Sequence, residues 1–270
     1  MIRCDFHIHT CYCDGKDTPA EIAAQAAAQG PTAIGFSGHS FLSVDPCAMS
    51  ERDTLRYRSE IAALKEKYRG TMTILCGLEK DLFSSEREED FDYSIGSVHF
   101  LFCHGEYFPV DHNVDAVKST IRDHFSGDPY AYAAFYYRQV SRLFHFLKPD
   151  MIGHFDLVTK FQESEPLWDP EDDRYRKAWQ EAADALLPFE KPFEINTGAI
   201  SRGIRKAPYP SAEILSYLNK HGARIILSSD SHRKETLCFD FAEARELAIF
   251  CGFRSQWIPD GRGGLTEIPL

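Results

Sequence analysis

Short apolar segments alternate along this chain with longer segments in which apolar residues recur at helical spacing. The short segments are rich in β-branched and aromatic residues, and their length and composition favour buried strands over core helices. They predict seven strands, over residues 2–9, 33–38, 73–79, 93–100, 151–155, 193–196 and 223–228.

The intervening segments predict helices. The clearest begins at Thr18-Pro19-Ala20-Glu21, where the threonine can cap the helix, proline suits the first turn and Glu21 can complete a capping box. Gly30 is the expected end of this helix. Further helices are predicted over residues 129–148, 171–187, 211–221 and 234–251, and an acidic loop and an irregular, glycine-rich tail over 84–92 and 253–270.

Strands that alternate with helices are typical of a parallel sheet. A polar residue stands at or just after the end of each predicted strand, and a parallel α/β barrel gathers those ends on one face, where its active site lies. An open, doubly wound sheet would spread the same residues along a line. We therefore predict an α/β fold, a distorted barrel, as a single domain over residues 1–270.

The composition narrows the function. The formal net charge is -11, from 30 basic and 41 acidic residues, which argues against non-specific binding to nucleic acid. A small phosphorylated substrate stays compatible, because divalent cations in a cleft reverse the local field. No apolar segment of about 18 residues and no signal-peptide pattern occurs, so we expect no membrane span and a cytoplasmic protein with reduced cysteines.

Histidine and acidic residues recur at the predicted strand ends. His7 and His9 are two residues apart on a strand and therefore face the same side, where they can share a metal ion. Asp230 and His232 repeat this spacing after the last strand, and Asp14 lies in a turn after His9. The remaining candidates at strand ends are His39, Glu79, His99 and His154.

So many ionisable groups cannot be buried together without compensation, which would cost several kcal/mol for each charge. Bound metal is the natural compensation. One tetrahedral zinc takes three or four protein ligands, so nine candidates indicate two or three metal ions. Cys11 and Cys13 lie beside the first histidines, but the candidate set is complete without a thiolate.

In this order, the motifs HIHTCYCDG, FSGH, GLEKD, GSVHF, IGHFDL and SSDSH resemble the PHP (polymerase and histidinol phosphatase) family over residues 5–232. The resemblance implies a distorted (β/α)7 TIM-like barrel with three divalent metal ions, zinc, iron or manganese. It implies a first metal held by His7, His9, Glu79 and Asp230, a second by Glu79, His99 and His154, and a third by Asp14, His39 and His232.

The same resemblance implies a phosphomonoesterase of histidine biosynthesis, with L-histidinol phosphate as the expected substrate. We expect a hydroxide shared by the first two metals to attack phosphorus, with the third metal on a phosphate oxygen. The residues expected to carry the reaction are His7, His9, Glu79, His99, Asp230 and His232. The candidate cations for the phosphate are Lys160, Arg202, Arg205 and Arg233.

Three further acids, Asp81, Asp156 and Glu194, lie near strand ends. They could form a pocket wall for the cationic amine of the substrate, or they could orient ligand histidines, which is the preferred interpretation for Asp156. The aromatic stretch over residues 130–146 has helical spacing and is predicted to be core.

Three other interpretations stay open. Another PHP phosphoesterase would act on a nucleotide, a sugar phosphate or phosphotyrosine, and an amidohydrolase-like barrel would hydrolyse a C–N bond. A metal-binding protein without turnover is a third alternative. The partner expected in the leading interpretation is a small phosphate ester, with no nucleic acid and no membrane, and the oligomeric state is left open.

Overall fold

The computed structural model describes residues 4–30 and 32–270. Its strands are β1 (Cys4–Asp5), β2 (Ala33–His39), β3 (Thr73–Asp81), β4 (Tyr93–Ser97), β5 (Phe100–Cys103), β6 (Glu106–Pro109), β7 (Met151–Ile152), β8 (Phe193–Asn196), β9 (Ile225–Ser228), β10 (Ser255–Pro259) and β11 (Leu265–Pro269). Its helices are α1 (Pro19–Gln29), α2 (Glu51–Lys67), α3 (Val114–His124), α4 (Pro129–Val140), α5 (Leu143–Phe146), α6 (Asp173–Leu186), α7 (Gly198–Ser201), α8 (Ala212–Lys220) and α9 (Phe241–Phe250).

Seven strands form one parallel sheet in the order β1-β2-β3-β4-β7-β8-β9. The two ends of this sheet meet just beyond β1 and β9, through a parallel bridge between Ile8 and Ser231. There the amide of His9 donates to the carbonyl of Ser231 at 2.8 Å, and the amide of Ser231 donates to the carbonyl of His7 at 3.0 Å. The sheet is therefore a nearly closed, distorted α/β barrel, and the sequence prediction of the fold is confirmed.

The side chain of Tyr93 connects three parts of the barrel wall. The hydroxyl of Tyr93 lies 2.7 Å from the carbonyl oxygen of Phe6 and 3.1 Å from that of Phe36, so one phenol links β4 to the residues after β1 and to β2. Gly35 and Gly77 make room for the ring, since a Cβ on either would lie 2.4 Å or 2.3 Å from it. These two glycines are needed for close approach.

Helix α1 begins and ends where the local signals predict. Thr18 and Glu21 form the capping box of α1, Pro19 is its first residue, and Gly30 ends it in the left-handed region at φ 80°. In α4, Tyr132, Tyr136 and Tyr137 are at most 1 % exposed and belong to the main core cluster. The prediction that this aromatic stretch is core is confirmed for these three residues, whereas Phe146 at its end is 57 % exposed.

Several predicted boundaries are wrong. The predicted strand over 93–100 ends at Ser97, and Phe100 begins the separate hairpin β5–β6. Predicted helices over 129–148 and 234–251 are each interrupted, by the turn between α4 and α5 and by the segment between the short 3-10 helix Lys234–Thr236 and α9. The part of the predicted first strand over 2–3 lies outside the described residues.

The predicted irregular tail is also wrong, because residues 255–269 form the antiparallel hairpin β10–β11. Asp260 and Gly261 supply the turn, and the side chain of Gln256 accepts a hydrogen bond from the amide of Leu227 at 3.1 Å. The Asp-Gly pair between two short apolar segments is a hairpin signal.

Helices α2 and α3 were also missed. Within residues 4–30 and 32–270, no helix combines the length and the apolar character that a membrane crossing needs.

Removing the phenol oxygen of Tyr93 tests whether its hydrogen bonds stabilise the barrel. Tyr93→Phe leaves two buried carbonyls without this donor and should lower the free energy of unfolding by about 1–3 kcal/mol. Tyr132→Phe is the matched control, because the Tyr132 hydroxyl is buried and has no hydrogen-bond partner among the described residues. Urea denaturation of both variants measures the difference, and equal losses would contradict this role for Tyr93.

Candidate metal centre

The side chain of Glu79 is the centre of a cluster of histidines at the carboxyl ends of the strands. It is 1 % exposed, and five imidazoles place a ring nitrogen 2.9–3.5 Å from one of its two oxygens. These belong to His7, His9, His39, His99 and His154. The hydroxyl of Ser97 donates to the same carboxylate at 2.8 Å.

Strand register explains why these residues meet. Glu79 and His39 are direct partners in the β2–β3 ladder, so both side chains reach the same end of the barrel. His99 follows β4. Its backbone amide donates to the carboxylate of Asp81 at 2.9 Å, which holds His99 at the site. His154 follows β7. Parallel strands thus bring together residues that lie 75 or fewer positions from Glu79 along the chain.

Asp230 joins the cluster from the other side of the barrel. Its Oδ1 lies 3.1 Å from Nε2 of His9 and 3.8 Å from Nε2 of His7. The backbone of Asp230 has a positive φ of 47°, and a Cβ on Gly198 would lie 2.7 Å from its carboxylate. The tight turn after β9 and the small neighbour therefore aim this carboxylate at the histidines.

Asp14 and His232 complete the cluster at the rim. Nε2 of His232 lies 3.0 Å from Oδ2 of Asp14, and Nε2 of His39 lies 3.7 Å from Oδ1. The rings of His9 and His232 stack at a centroid distance of 4.1 Å. The structure therefore brings all nine predicted metal ligands to one end of the barrel.

Eight of the nine donors, all except His154, fall into three overlapping groups whose ligand atoms lie within 4.8 Å of one another. The groups are His9, Asp14, His39 and His232, then His7, His9 and Asp230, then His39, Glu79 and His99. Imidazole nitrogens together with carboxylate oxygens suit zinc, iron or manganese. His9 and His39 each belong to two groups, which differs from the division that the family resemblance implies.

Several buried atoms in this cluster lack hydrogen bonds, which tests whether the residues fit a metal. Among the described residues, Nε2 of His7, Nε2 of His9, Oδ1 of Asp14 and Oε2 of Glu79 are buried without a hydrogen-bond partner. Unpaired buried polar atoms are rare because each one loses its contact with water. Atoms that converge without pairing fit ligands of shared divalent cations.

The charges of the cluster are strongly coupled. Burial disfavours the ionised form of Glu79, but the surrounding histidines outweigh it and hold its pKa well below the usual value. Burial, with the neighbouring His232 and His39, lowers the pKa of His9 to about 3. Burial acts in the same direction on His39, but the carboxylates of Glu79 and Asp14 outweigh it and raise the pKa of His39 to about 9, so a bound cation would have to displace a proton there.

A cavity of about 270 Å3 opens onto the cluster. Its wall includes two predicted phosphate-binding cations, Lys160 and Arg202. Arg202 contacts Oδ2 of Asp230 at 3.1 Å and Nδ1 of His232 at 2.9 Å. Lys160 is held by Asp111, with its Nζ 2.9 Å from the carboxylate. Arg202 therefore lies beside the cluster, whereas Lys160 is already paired.

The other two predicted cations lie elsewhere. Arg205 is 8 % exposed, donates to Thr159, stacks 4.3 Å over the ring of Tyr209 and lies outside the cavity lining. Arg233 is exposed, and its carbonyl accepts from the hydroxyl of Ser231. Arg205 was predicted because it follows a strand on the face that carries the site, and Arg233 because it is adjacent to His232, but the cavity lining includes neither.

The three acids proposed for the pocket wall have other contacts. Asp81 accepts from the amides of His99 and Phe83, and Asp156 accepts from the amide of Ser211. Glu194 and Asp81 contact the rings of ligand histidines, with Oε1 of Glu194 2.5 Å from Nδ1 of His7 and Oδ2 of Asp81 3.5 Å from Nδ1 of His99. The preference for Asp156 as the orienting acid is therefore wrong, because its carboxylate faces the start of α8.

The family model of the PHP domain matches residues 5–198 of the chain. The chain belongs to the PHP domain family. A curated relative from Bacillus subtilis (strain 168), named Histidinol-phosphatase, is 28 % identical over an alignment of 257 residues. The alignment covers 86 % of this chain and 94 % of the relative.

Solved structures share the PHP barrel. A histidinol phosphate phosphatase from Lactococcus lactis, complexed with zinc, L-histidinol and phosphate, has a TM-score of 0.73 at 21 % identity and covers 98 % of each chain. A structure from Listeria monocytogenes has a TM-score of 0.76 at 19 % identity and covers 89 % of this chain and 99 % of the other. These similarities bear on the fold alone.

Part of the PHP cavity wall was not anticipated from the sequence. Asp45, Cys47, Phe100, Asp111 and His112 line the cavity together with the metal-ligand candidates. Asp111 and His112 follow the hairpin β5–β6, which was not predicted, so nothing in the sequence pattern pointed them at the site. Cys13 lies 3.5 Å from Nδ1 of His9, whereas Cys11 is exposed.

Replacing the central carboxylate tests its role in metal binding. Glu79→Ala should release at least one divalent ion per chain and abolish hydrolysis, because the carboxylate faces five of the histidines. Metal content by mass spectrometry and far-ultraviolet circular dichroism measure binding and folding separately. Glu181→Ala, on the exposed face of α6, is the control, and unchanged metal content in Glu79→Ala would contradict the assignment.

Proposed function

We propose that this chain is a metal-dependent phosphomonoesterase that hydrolyses L-histidinol phosphate to L-histidinol and inorganic phosphate, a reaction of histidine biosynthesis. The observation that carries the proposal is the cluster of unpaired imidazole and carboxylate atoms at the base of a cavity with Arg202 on its wall. The names of the curated relatives and the ligands of the Lactococcus lactis structure support this substrate.

The nine clustered residues would hold three divalent ions, of zinc, iron or manganese. Glu79 would contribute to two of the positions, because its two oxygens face different histidines. Oε2 lies 3.2 Å from His7, and Oε1 lies 2.9 Å from His154. Divalent ions bound there would supply a nucleophilic water at neutral pH and neutralise charge on the phosphoryl oxygens.

Arg202 is the residue proposed to bind the phosphate directly. Its guanidinium lies at the cavity wall beside Asp230 and His232, and its side chain is 31 % exposed. A guanidinium presents several donors in a planar fork that matches phosphate oxygens. It would orient the ester and stabilise the charge that develops on the oxygens during hydrolysis. Lys160 also lines the cavity and is paired with Asp111, as Arg202 is with Asp230, so it is a second candidate for the phosphate.

The far wall of the cavity suits the organic half of this substrate. Asp45 and Asp111 supply carboxylates, and Phe100 and His112 supply a T-shaped aromatic pair at a centroid distance of 5.6 Å. Asp45 has no ion-pair partner among the described residues within 4.0 Å. A cationic amine and an imidazole ring would meet complementary groups here, whereas a sugar phosphate or a nucleotide carries no such cation.

Substrate choice is tested by release of inorganic phosphate from a panel of esters. Protein loaded with zinc or manganese should hydrolyse L-histidinol phosphate at least tenfold faster than sugar phosphates, nucleotides or phosphotyrosine, and a chelator should stop the reaction. Faster hydrolysis of a different ester would contradict the substrate assignment but would leave the assignment of the metal centre unchanged. Inactivity on every ester by metal-loaded protein would favour a C–N hydrolase or a protein without turnover.

Arg202→Ala should reduce kcat/KM for the preferred ester by roughly ten- to a thousandfold, because one donor to the developing charge is lost. Steady-state kinetics at saturating metal measures the effect, and metal content should stay near that of the parent. Arg174→Ala, which removes an exposed guanidinium from α6, is the control and should keep full activity. An Arg202→Ala variant with unchanged kcat/KM would rule out phosphate binding by this residue.

The cellular location belongs with this function. We expect the enzyme in the cytoplasm, where reduced cysteines such as buried Cys4, Cys76 and Cys251 are the norm.

A further inference from the structure

Glu194 is a fully buried carboxylate that lies behind the metal cluster and faces two of its histidines. It stands on β8, between β7 and β9, and is 0 % exposed. Its Oε1 lies 2.5 Å from Nδ1 of His7, and its Oε2 accepts the amide of His154 at 2.9 Å. No substrate in the cavity can reach it, because His7 and His154 stand between.

Two more donors complete the surroundings of this carboxylate. The hydroxyl of Ser228 donates to Oε1 at 2.9 Å, and the side-chain amide of Asn196 donates to Oε2 at 3.2 Å. An ionised carboxylate offers about four lone-pair sites and no donor. Three donors other than His7 therefore point at this carboxylate, and such hydrogen bonds favour its ionised form.

The ionised form of Glu194 decides which ring nitrogen of His7 carries a proton. Its Nδ1 has to be the donor to Glu194, because the carboxylate only accepts. In the neutral imidazole, Nε2 then carries the lone pair. That nitrogen points to the cluster, 3.2 Å from Oε2 of Glu79 and 3.8 Å from Oδ1 of Asp230.

We propose that Glu194 is a positioning residue that holds His7 in the Nδ1-protonated form and fixes the backbone at His154, so that one carboxylate sets the metal affinity of both neighbouring positions. The inference rests on the proposed metal centre and is independent of the substrate. Partners of this kind orient the ring and raise the basicity of a ligand histidine, and their loss weakens metal binding by about 10–100-fold.

Glu194→Gln is the decisive variant, because it keeps the size of the side chain and changes its hydrogen bonding. A glutamine has one acceptor oxygen for the four donors. If its amino group faces His7, the imidazole must accept at Nδ1, and the proton moves to Nε2, where it blocks a metal. We expect zinc affinity, measured by competition with a chromophoric chelator, to fall about 10–100-fold.

Asp156→Asn is the matched control. Asp156 is also a buried carboxylate, 1 % exposed and one strand away, but it accepts from the amide of Ser211. This variant should bind zinc as tightly as the parent. Parent-like affinity in Glu194→Gln, or an equal loss in Asp156→Asn, would overturn the proposal.

A measurement on the parent protein covers the case in which Glu194→Gln does not fold. Long-range 1H–15N spectra of the zinc-loaded protein report which ring nitrogen of each histidine carries a proton, and His7→Gln identifies the signal. We expect protonated Nδ1 at His7, and a proton on Nε2 would overturn the proposal. Neither assay contains substrate, so an inactive protein that passes both would count against the proposed function alone.

Discussion

The structure depends on the burial of the Glu79 carboxylate among imidazoles. A carboxylate that is 1 % exposed is stable only if positive or hydrogen-bonded groups replace the water it has lost. Ser97 supplies one hydrogen bond, and the five histidines supply the remaining contacts. The histidines in turn crowd one another, as the stacked rings of His9 and His232 show. Divalent cations held by these residues would relieve both problems.

This arrangement constrains how the barrel closes. β1 has two residues, and the chain then leaves regular pairing so that His7 and His9 can face inward beside Asp230. The closing hydrogen bonds between residues 7–9 and Ser231 lie at the height of the metal cluster. Asp5 reinforces the seam from below, because its carboxylate accepts the amides of Ser229 and Cys238. The barrel is thus distorted at the place where the metal-ligand candidates cluster.

Charge is arranged in layers around this centre. Glu194 and Asp81 lie behind the histidines and bind imidazole or backbone donors, whereas Asp45 and Asp111 face the cavity. Arg202 lies on the cavity wall and contacts Asp230 and His232. A net charge of -11 is therefore compatible with binding of a phosphate ester, since the anionic groups nearest the phosphate would be offset by cations.

The sequence by itself determined the fold class and the set of clustered residues. Strand ends of a parallel barrel converge whatever the details of packing, so a histidine or an acid at each end of a buried segment was enough to predict a shared site. The capping box at Thr18 was equally local. Only the tertiary structure decided what each remaining charge does. Glu194, Asp156, Arg202 and Arg205 all lie near strand ends, yet Glu194 contacts His7, Asp156 contacts Ser211, Arg202 lines the cavity and Arg205 stacks on Tyr209. These roles depend on the direction of a side chain after a turn and, for Glu194, Asp156 and Arg202, on neighbours between 28 and 187 residues away. Strand alternation and helical period carry no information about either.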